Sequence, residues 1–164
     1  MNTATKDKGS FYILDENIVW DSGKRGVNWT PSCDEDAEGF FIEDGVWYIS
    51  KGWCWDGATS APDGPQDPNK EGYPLIWLAT LIHDLGIYFL KEEDFPYLRV
   101  KIDIYFYMLM IDAGYKFSLV YFLGVRLFGR IFGSIKDKVS PNKIRQDHDP
   151  IFIGENSSFS EELS

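Results

Sequence analysis

One histidine and three aspartates are the side chains of this sequence that could do chemistry together. His83 and Asp84 are neighbours in a segment whose apolar residues recur every three or four positions, and Asp103 lies in the next such segment. Asp56 comes at the end of the last predicted β-strand. One imidazole and several carboxylates can hold a divalent cation or serve as general acid and base. We therefore treat Asp56, His83, Asp84 and Asp103 as the candidate site.

The donor atoms of this set favour a hard cation. Oxygen ligands suit Mg²⁺, Mn²⁺ or Ca²⁺ better than Zn²⁺. A zinc site built from three histidines is excluded, because the only other histidine, His148, lies in a polar C-terminal stretch. If a metal binds here, we expect one such as Mg²⁺ or Mn²⁺.

Arg99 and Trp55 are candidate binding residues beside this set. Arg99 and Asp103 are four positions apart on a predicted helix, so they share one face and can pair. The guanidinium of Arg99 could also bind an anionic group. Trp53 and Trp55 flank the turn that begins at Asp56, where they could form the wall of a pocket.

A purely structural role explains the same residues. Aspartate and histidine among leucines and isoleucines are costly to bury unless their polar atoms are satisfied. Asp84 or Asp103 could accept hydrogen bonds from Arg99 and from backbone amides of the turn over residues 56–59, and such networks fix how helices meet sheets. The sequence leaves the catalytic and the structural interpretations open.

The elements that must position these residues are indicated by the spacing of apolar residues, which changes along the chain. Short aromatic-rich runs between residues 11 and 56 predict strands, and the turn Glu43-Asp44-Gly45 predicts a hairpin over residues 39–49. A polar, proline-rich loop over residues 57–72 follows. Helical periodicity then predicts three helices, over residues 74–90, 96–113 and 116–136. We expect an α+β fold with N-terminal antiparallel β-hairpins packed on a C-terminal bundle of three helices. A single domain would span residues 1–140, with a polar tail over residues 141–164.

Charge narrows the classes of partner. The 164 residues carry a net charge of −10, which argues against nucleic acid as a partner. Residues 116–146 differ from the rest, with seven basic residues and one acidic. The longest apolar run, over residues 117–135, contains Arg126 and Arg130, which favours a soluble or interfacial helix and argues against integral membrane insertion. No secretory signal is recognisable, so we expect a protein made in a cytoplasm and kept there or packaged from it.

Part of the chain, from about residue 48 to 133, resembles a known family. The motifs, in order, are Lys51-Gly52-Trp53, Trp55-Asp56-Gly57-Ala58-Thr59, Ala79 to His83-Asp84 with Tyr88, Arg99 with Asp103, Gly114, and Val125-Arg126-Leu127-Phe128-Gly129. This order resembles the uncharacterised, largely phage-associated family numbered 1353 among the domains of unknown function. The resemblance implies a small phage or prophage protein of α+β architecture, located in the host cytoplasm or the virion. It adds Tyr88 to the candidate binding residues and supplies no established activity.

Two hypotheses of function follow. In the first, the chain is a hydrolase, with or without a metal: Asp56, Asp84 and Asp103 hold the cation or polarise water, and His83 acts as acid or base. In the second, the chain is a non-catalytic virion structural protein or a host-interaction protein, whose partners are other phage or host proteins. The polar residues then form a buried network.

Overall fold

The structure, a computed structural model, describes residues 12–55, 57 and 65–133, with the side chains of residues 35 and 128–133 excepted. Asp56 and the predicted tail therefore lie outside the described residues. In chain order the elements are β1 (Tyr12–Ile13), β2 (Ile18–Asp21), α1 (Asp34–Ala37), β3 (Phe40–Glu43), β4 (Val46–Ile49), β5 (Cys54–Trp55), α2 (Trp77–Phe89), α3 (Arg99–Asp112) and α4 (Ser118–Gly133). Strands fill the first half and the long helices fill the second, which confirms the predicted α+β class.

The predicted hairpin forms two of the three strands of the larger sheet. β3 and β4 pair antiparallel, with Phe40 opposite Ile49 and Glu43 opposite Val46. Asp44 and Gly45 between them both have positive φ, 47° and 79°. Two consecutive residues of positive φ form the tight turn whose twist suits a hairpin, and Asp-Gly favours it. β2 pairs with the other edge of β4, which gives the strand order β2-β4-β3.

The two strands on either side of Asp15, β1 and β2, do not pair with each other. β1 pairs with β5, and β2 pairs with β4, so the first two strands lie in different sheets. Long-range aromatic contacts explain the difference: Trp20 lies opposite Trp47 with ring centroids 5.2 Å apart, and Tyr12 lies opposite Trp55 at 5.4 Å. Burial of these rings favours the distant partners.

Aromatic side chains join the sheet to the helices. Trp47 is fully buried, and its ring contacts Phe40 of β3 and Phe95 and Tyr97 of the segment between α2 and α3. Phe40 in turn stacks on Phe89 of α2 at 4.9 Å. The core therefore lies between the β2-β4-β3 sheet and the α2–α3 pair.

The three predicted helices form, each a few residues shorter at its start than its pattern suggests. α3 begins at Arg99 rather than in the turn at Pro96, because Leu98 is still extended, with ψ 149°. Gly114, with φ 72°, follows the end of α3 as predicted. Among the helices in the described part of the chain, none is long and apolar enough to cross a membrane.

Candidate functional site

A close contact between α2 and α3 brings the candidate residues together. Gly86 of α2 lies against Ile102 of α3, where a Cβ atom on the glycine would be 2.8 Å from Ile102 Cγ2. The missing side chain therefore lets the two backbones approach. One turn before Gly86, His83 faces Asp103 of α3, and His83 Nε2 lies 3.1 Å from Asp103 Oδ1, within hydrogen-bond distance.

Asp103 is the centre of the cluster and its side chain has no exposed surface. Its second oxygen, Oδ2, accepts a hydrogen bond from Arg126 Nη1 of α4 at 3.2 Å. Arg99 Nε lies 4.0 Å from the same oxygen, which agrees with the pairing predicted from the spacing of four residues. One carboxylate thus links side chains of α2, α3 and α4. We name His83, Asp84, Asp103, Arg99 and Arg126 the three-helix cluster.

Asp84 is placed on the other side of the imidazole. Asp84 Oδ1 lies 3.7 Å from His83 Nδ1, so the two nitrogens of the ring face two different carboxylates. Phe106 of α3 covers the ring, with centroids 4.8 Å apart. Only 12% of the His83 side chain is exposed. The imidazole is therefore enclosed by two acids and an aromatic ring.

These contacts set the charges of the cluster. Burial alone lowers the pKa of His83, but the hydrogen bond to Asp103 and the charges of both neighbouring aspartates outweigh it, so that the pKa is raised above its usual 6.5. Burial raises the pKa of Asp103, yet its bonds to His83 and Arg126 outweigh that effect and the pKa is lowered. Desolvation raises the pKa of Asp84. The two shifts favour a protonated His83 beside an ionised Asp103.

The other predicted residues are placed elsewhere. Trp55 donates its indole N–H to Thr80 Oγ1 of α2 at 3.0 Å and stacks on Tyr73. Tyr88 donates to Asp36 Oδ2 of α1 at 3.1 Å, and Lys91 Nζ lies 3.8 Å from the centre of its ring. Asp56 is outside the described residues. The structure thus brings together four of the predicted residues, His83, Asp84, Asp103 and Arg99.

The fifth member, Arg126, is named in the sequence analysis as a charge in an apolar run and as part of a family motif, but not as a site residue. That charge is itself the signal that could have identified it. An arginine among leucines and phenylalanines is stable when a buried carboxylate accepts its hydrogen bonds, and Asp103 was such a carboxylate. Which of the two guanidiniums on α3 and α4 binds Asp103 more closely depends on how the helices pack.

The donor atoms of the cluster do not fit a divalent cation. Asp103 uses one oxygen for His83 and the other for Arg126, and a guanidinium beside a carboxylate repels a second cation. Within residues 12–55, 57 and 65–133, no group of three or more histidine, cysteine, aspartate and glutamate side chains is arranged to hold a metal ion.

A second polar network, which the sequence analysis did not identify, fixes the loop before α2. The hydroxyl of buried Tyr73 donates to Asp15 Oδ1 at 2.7 Å and accepts from the Asp15 backbone N–H at 3.1 Å. Lys70 pairs with Asp15 and Glu16, and its ammonium lies 4.6 Å from the centre of the Tyr73 ring. These contacts attach residues 70–73 to the turn between β1 and β2.

Comparison with known proteins adds no relative. No protein-family model matches the chain. No curated protein matches it, and no solved structure does. The resemblance to the phage-associated family therefore stays a prediction, and the function has to be inferred from the geometry of the chain itself.

Proposed function

We propose that this chain is a non-catalytic interaction protein, in which the three-helix cluster holds α2, α3 and α4 as one unit. The observation that carries the proposal is the enclosure of His83, whose two ring nitrogens lie 3.1 Å and 3.7 Å from the carboxylates of Asp103 and Asp84. A histidine that works as a general base needs a free nitrogen directed at the substrate. Here each nitrogen already faces an acid.

The charge of His83 supports the same interpretation. A general base at neutral pH must be unprotonated, and its ideal pKa lies near the working pH. The pKa of His83 is instead raised by the acids around it, which favours the imidazolium. An imidazolium has both nitrogens protonated and accepts no further proton. A buried imidazolium beside the carboxylate of Asp103 is a structural element that ties α2 to α3.

A phage origin is part of the proposal and is supported by the sequence resemblance alone. In that setting the chain would be a virion structural protein or would bind a host component. The competing proposal, a hydrolase with His83, Asp84 and Asp103 as catalytic residues, is supported by one feature: a carboxylate hydrogen-bonded to a histidine orients the ring in many hydrolases.

Nuclear magnetic resonance of the two histidine side chains distinguishes the two proposals. The full chain is labelled with nitrogen-15, and the His148→Gln variant assigns the signals of His83. We expect the ring of His83 to titrate above 6.5, so that both ring nitrogens are protonated at pH 6. A His83 ring that is neutral at pH 6 would contradict the structural role of the imidazolium and favour the hydrolase.

An activity assay provides the second test. Wild type and His83→Gln are compared on ester, phosphoester and glycoside substrates, with and without Mg²⁺ or Mn²⁺, and the melting temperature is recorded for each. We expect the variant to melt at lower temperature, neither metal to raise the melting temperature, and any trace hydrolysis to be equal in both proteins. Hydrolysis that His83→Gln abolishes while the chain stays folded would overturn the proposal.

A further inference from the structure

The outer face of α4 is apolar and uncovered. Four large side chains on one arc of the helix are between 47% and 67% exposed: Leu119, Val120, Leu123 and Leu127. The inner face is apolar as well, because Tyr121 and Val125 pack against the cluster of Ile76, Ala79, Phe106 and Met110. A helix with apolar side chains on both its inner and its outer face is normally covered on both.

Exposed apolar side chains also lie on α3, the helix that packs against α4. Met108 and Ile111, one turn apart, are each about half exposed, at 52% and 50%. Tyr107 of α3 and Phe122 of α4 join the two helices, with ring centroids 5.0 Å apart. We name the six exposed residues the α3–α4 surface: Met108, Ile111, Leu119, Val120, Leu123 and Leu127. Single exposed leucines need no explanation, but a group of six across two helices marks an interaction site.

Charge indicates what covers this surface. Residues 116–146 carry seven basic residues and one acidic, so the segment that contains α4 has a net charge of +6. The rest of the chain, with 9 basic and 25 acidic residues, has a net charge of −16. A symmetric contact between two copies through α4 would bring two positive segments together. Of these basic residues, Lys116, Arg126 and Arg130 belong to the described part of the chain, and residues 116–133 contain no acidic residue. An anionic surface attracts the segment 116–146 and repels the rest of the chain.

We propose that the α3–α4 surface lies on an anionic lipid membrane, parallel to its plane, with the exposed leucines of α4 in the interfacial layer. Leucine and phenylalanine on one face with flanking lysine and arginine are the pattern of helices that bind in this way. Lys116 and Phe117, both exposed, directly precede α4 and place a basic and an apolar side chain at its start. The inference rests on the proposed function, because it names the partner of a non-catalytic surface.

Co-sedimentation of the full chain with vesicles tests this proposal. Vesicles of phosphatidylcholine alone are compared with vesicles that also contain phosphatidylglycerol, at two salt concentrations. We expect binding to the anionic vesicles only, weaker at high salt because the attraction is screened. The variant Leu123→Ser with Leu127→Ser should bind at least about tenfold more weakly, since it removes two side chains from the lipid contact.

Two matched controls test whether vesicle binding depends on the α3–α4 surface or only on the overall composition of the protein. Val19→Ser removes an apolar side chain of β2 that is 58% exposed and should leave vesicle binding unchanged. Lys116→Glu should weaken binding, whereas Lys51→Glu, the same change of charge at an exposed turn before β5, should have a much smaller effect. The substituted positions are exposed, so the melting temperatures should stay close to that of wild type.

Three outcomes would overturn the proposal. The first is absence of binding to anionic vesicles, and the second is equal binding by wild type and by Leu123→Ser with Leu127→Ser. The third is a dimer in analytical ultracentrifugation that the same double variant dissociates, which would assign the surface to a second copy of the chain. None of these outcomes bears on the protonation of His83, so the proposed function is tested separately.

Discussion

Removal of the charge on Asp103 is the most direct test of the three-helix cluster. In Asp103→Asn the side chain keeps its size, but His83 loses the anion 3.1 Å from its Nε2 and Arg126 loses the anion 3.2 Å from its Nη1. Breaking a buried ion pair by removing one partner costs about 3 to 5 kcal/mol, because the other charge stays buried and unpaired.

The exposure of each partner decides the size of the loss. Arg126 and Arg99 are 42% and 29% exposed and can turn toward water, so their share is small. His83 is 12% exposed and cannot turn toward water, but in the variant it can release its proton at neutral pH. We therefore expect the lower end of the range, about 3 kcal/mol. For a chain of this size that is a fall of roughly 10 °C in melting temperature.

A double-mutant cycle provides the assay. Unfolding by urea at pH 6 is measured for wild type, Asp103→Asn, His83→Gln and the double variant. We expect a coupling energy of at least about 1 kcal/mol between the two positions, because His83→Gln removes the charge that Asp103→Asn leaves unpaired. Additive effects of the two substitutions would refute the argument that the pair is energetically coupled.

Three further results are expected. The stability advantage of wild type over His83→Gln should be full below pH 6.5 and should decrease as the pH rises above that value, because folding raises the pKa of His83. Urea unfolding between pH 5 and pH 9 measures this advantage, with His148→Gln as the control. Gly86→Ala should lower the melting temperature, because overpacking causes a net loss of about 1 kcal/mol. Gly124→Ala should raise the melting temperature slightly, because nothing lies within 4 Å of the added Cβ atom. Thermal unfolding of both variants measures the two effects. Tyr73→Phe should lose about 1 kcal/mol in urea unfolding, because it removes the hydroxyl that bonds to the first turn, and an unchanged midpoint would contradict that role.

Local signals explain what could be predicted of the fold. The turn at Asp44-Gly45 and the helix end at Gly114 depend on φ values that glycine and aspartate adopt at low cost, so the sequence indicates both. The pairing of Arg99 with Asp103 follows from the helical repeat alone. Features that depend on residues close in sequence could therefore be predicted.

Long-range packing explains what could not be predicted. β1 pairs with β5, about 40 residues away, although β2 is its neighbour in sequence, and no short-range pattern indicates that choice. Likewise, the sequence named Trp55 and Tyr88 as candidate binding residues but did not indicate their hydrogen-bond partners, Thr80 and Asp36. Positions around a helix can be assigned from the sequence, but the element that each face contacts depends on the whole fold.

The three-helix cluster also bears on the orientation of α4, which has apolar residues on both its faces. Because leucines, valines and aromatic residues occupy both its faces, burial of apolar area alone does not determine which face turns toward the protein. The hydrogen bond from Arg126 to fully buried Asp103 does, since rotation of α4 would remove the donor that Arg126 Nη1 provides to Asp103 Oδ2. A buried polar contact can specify one arrangement among several of similar apolar burial, and we infer that role here. The coupling of His83, Asp103 and Arg126 thus fixes the rotation of α4, and with it which leucines remain on the α3–α4 surface.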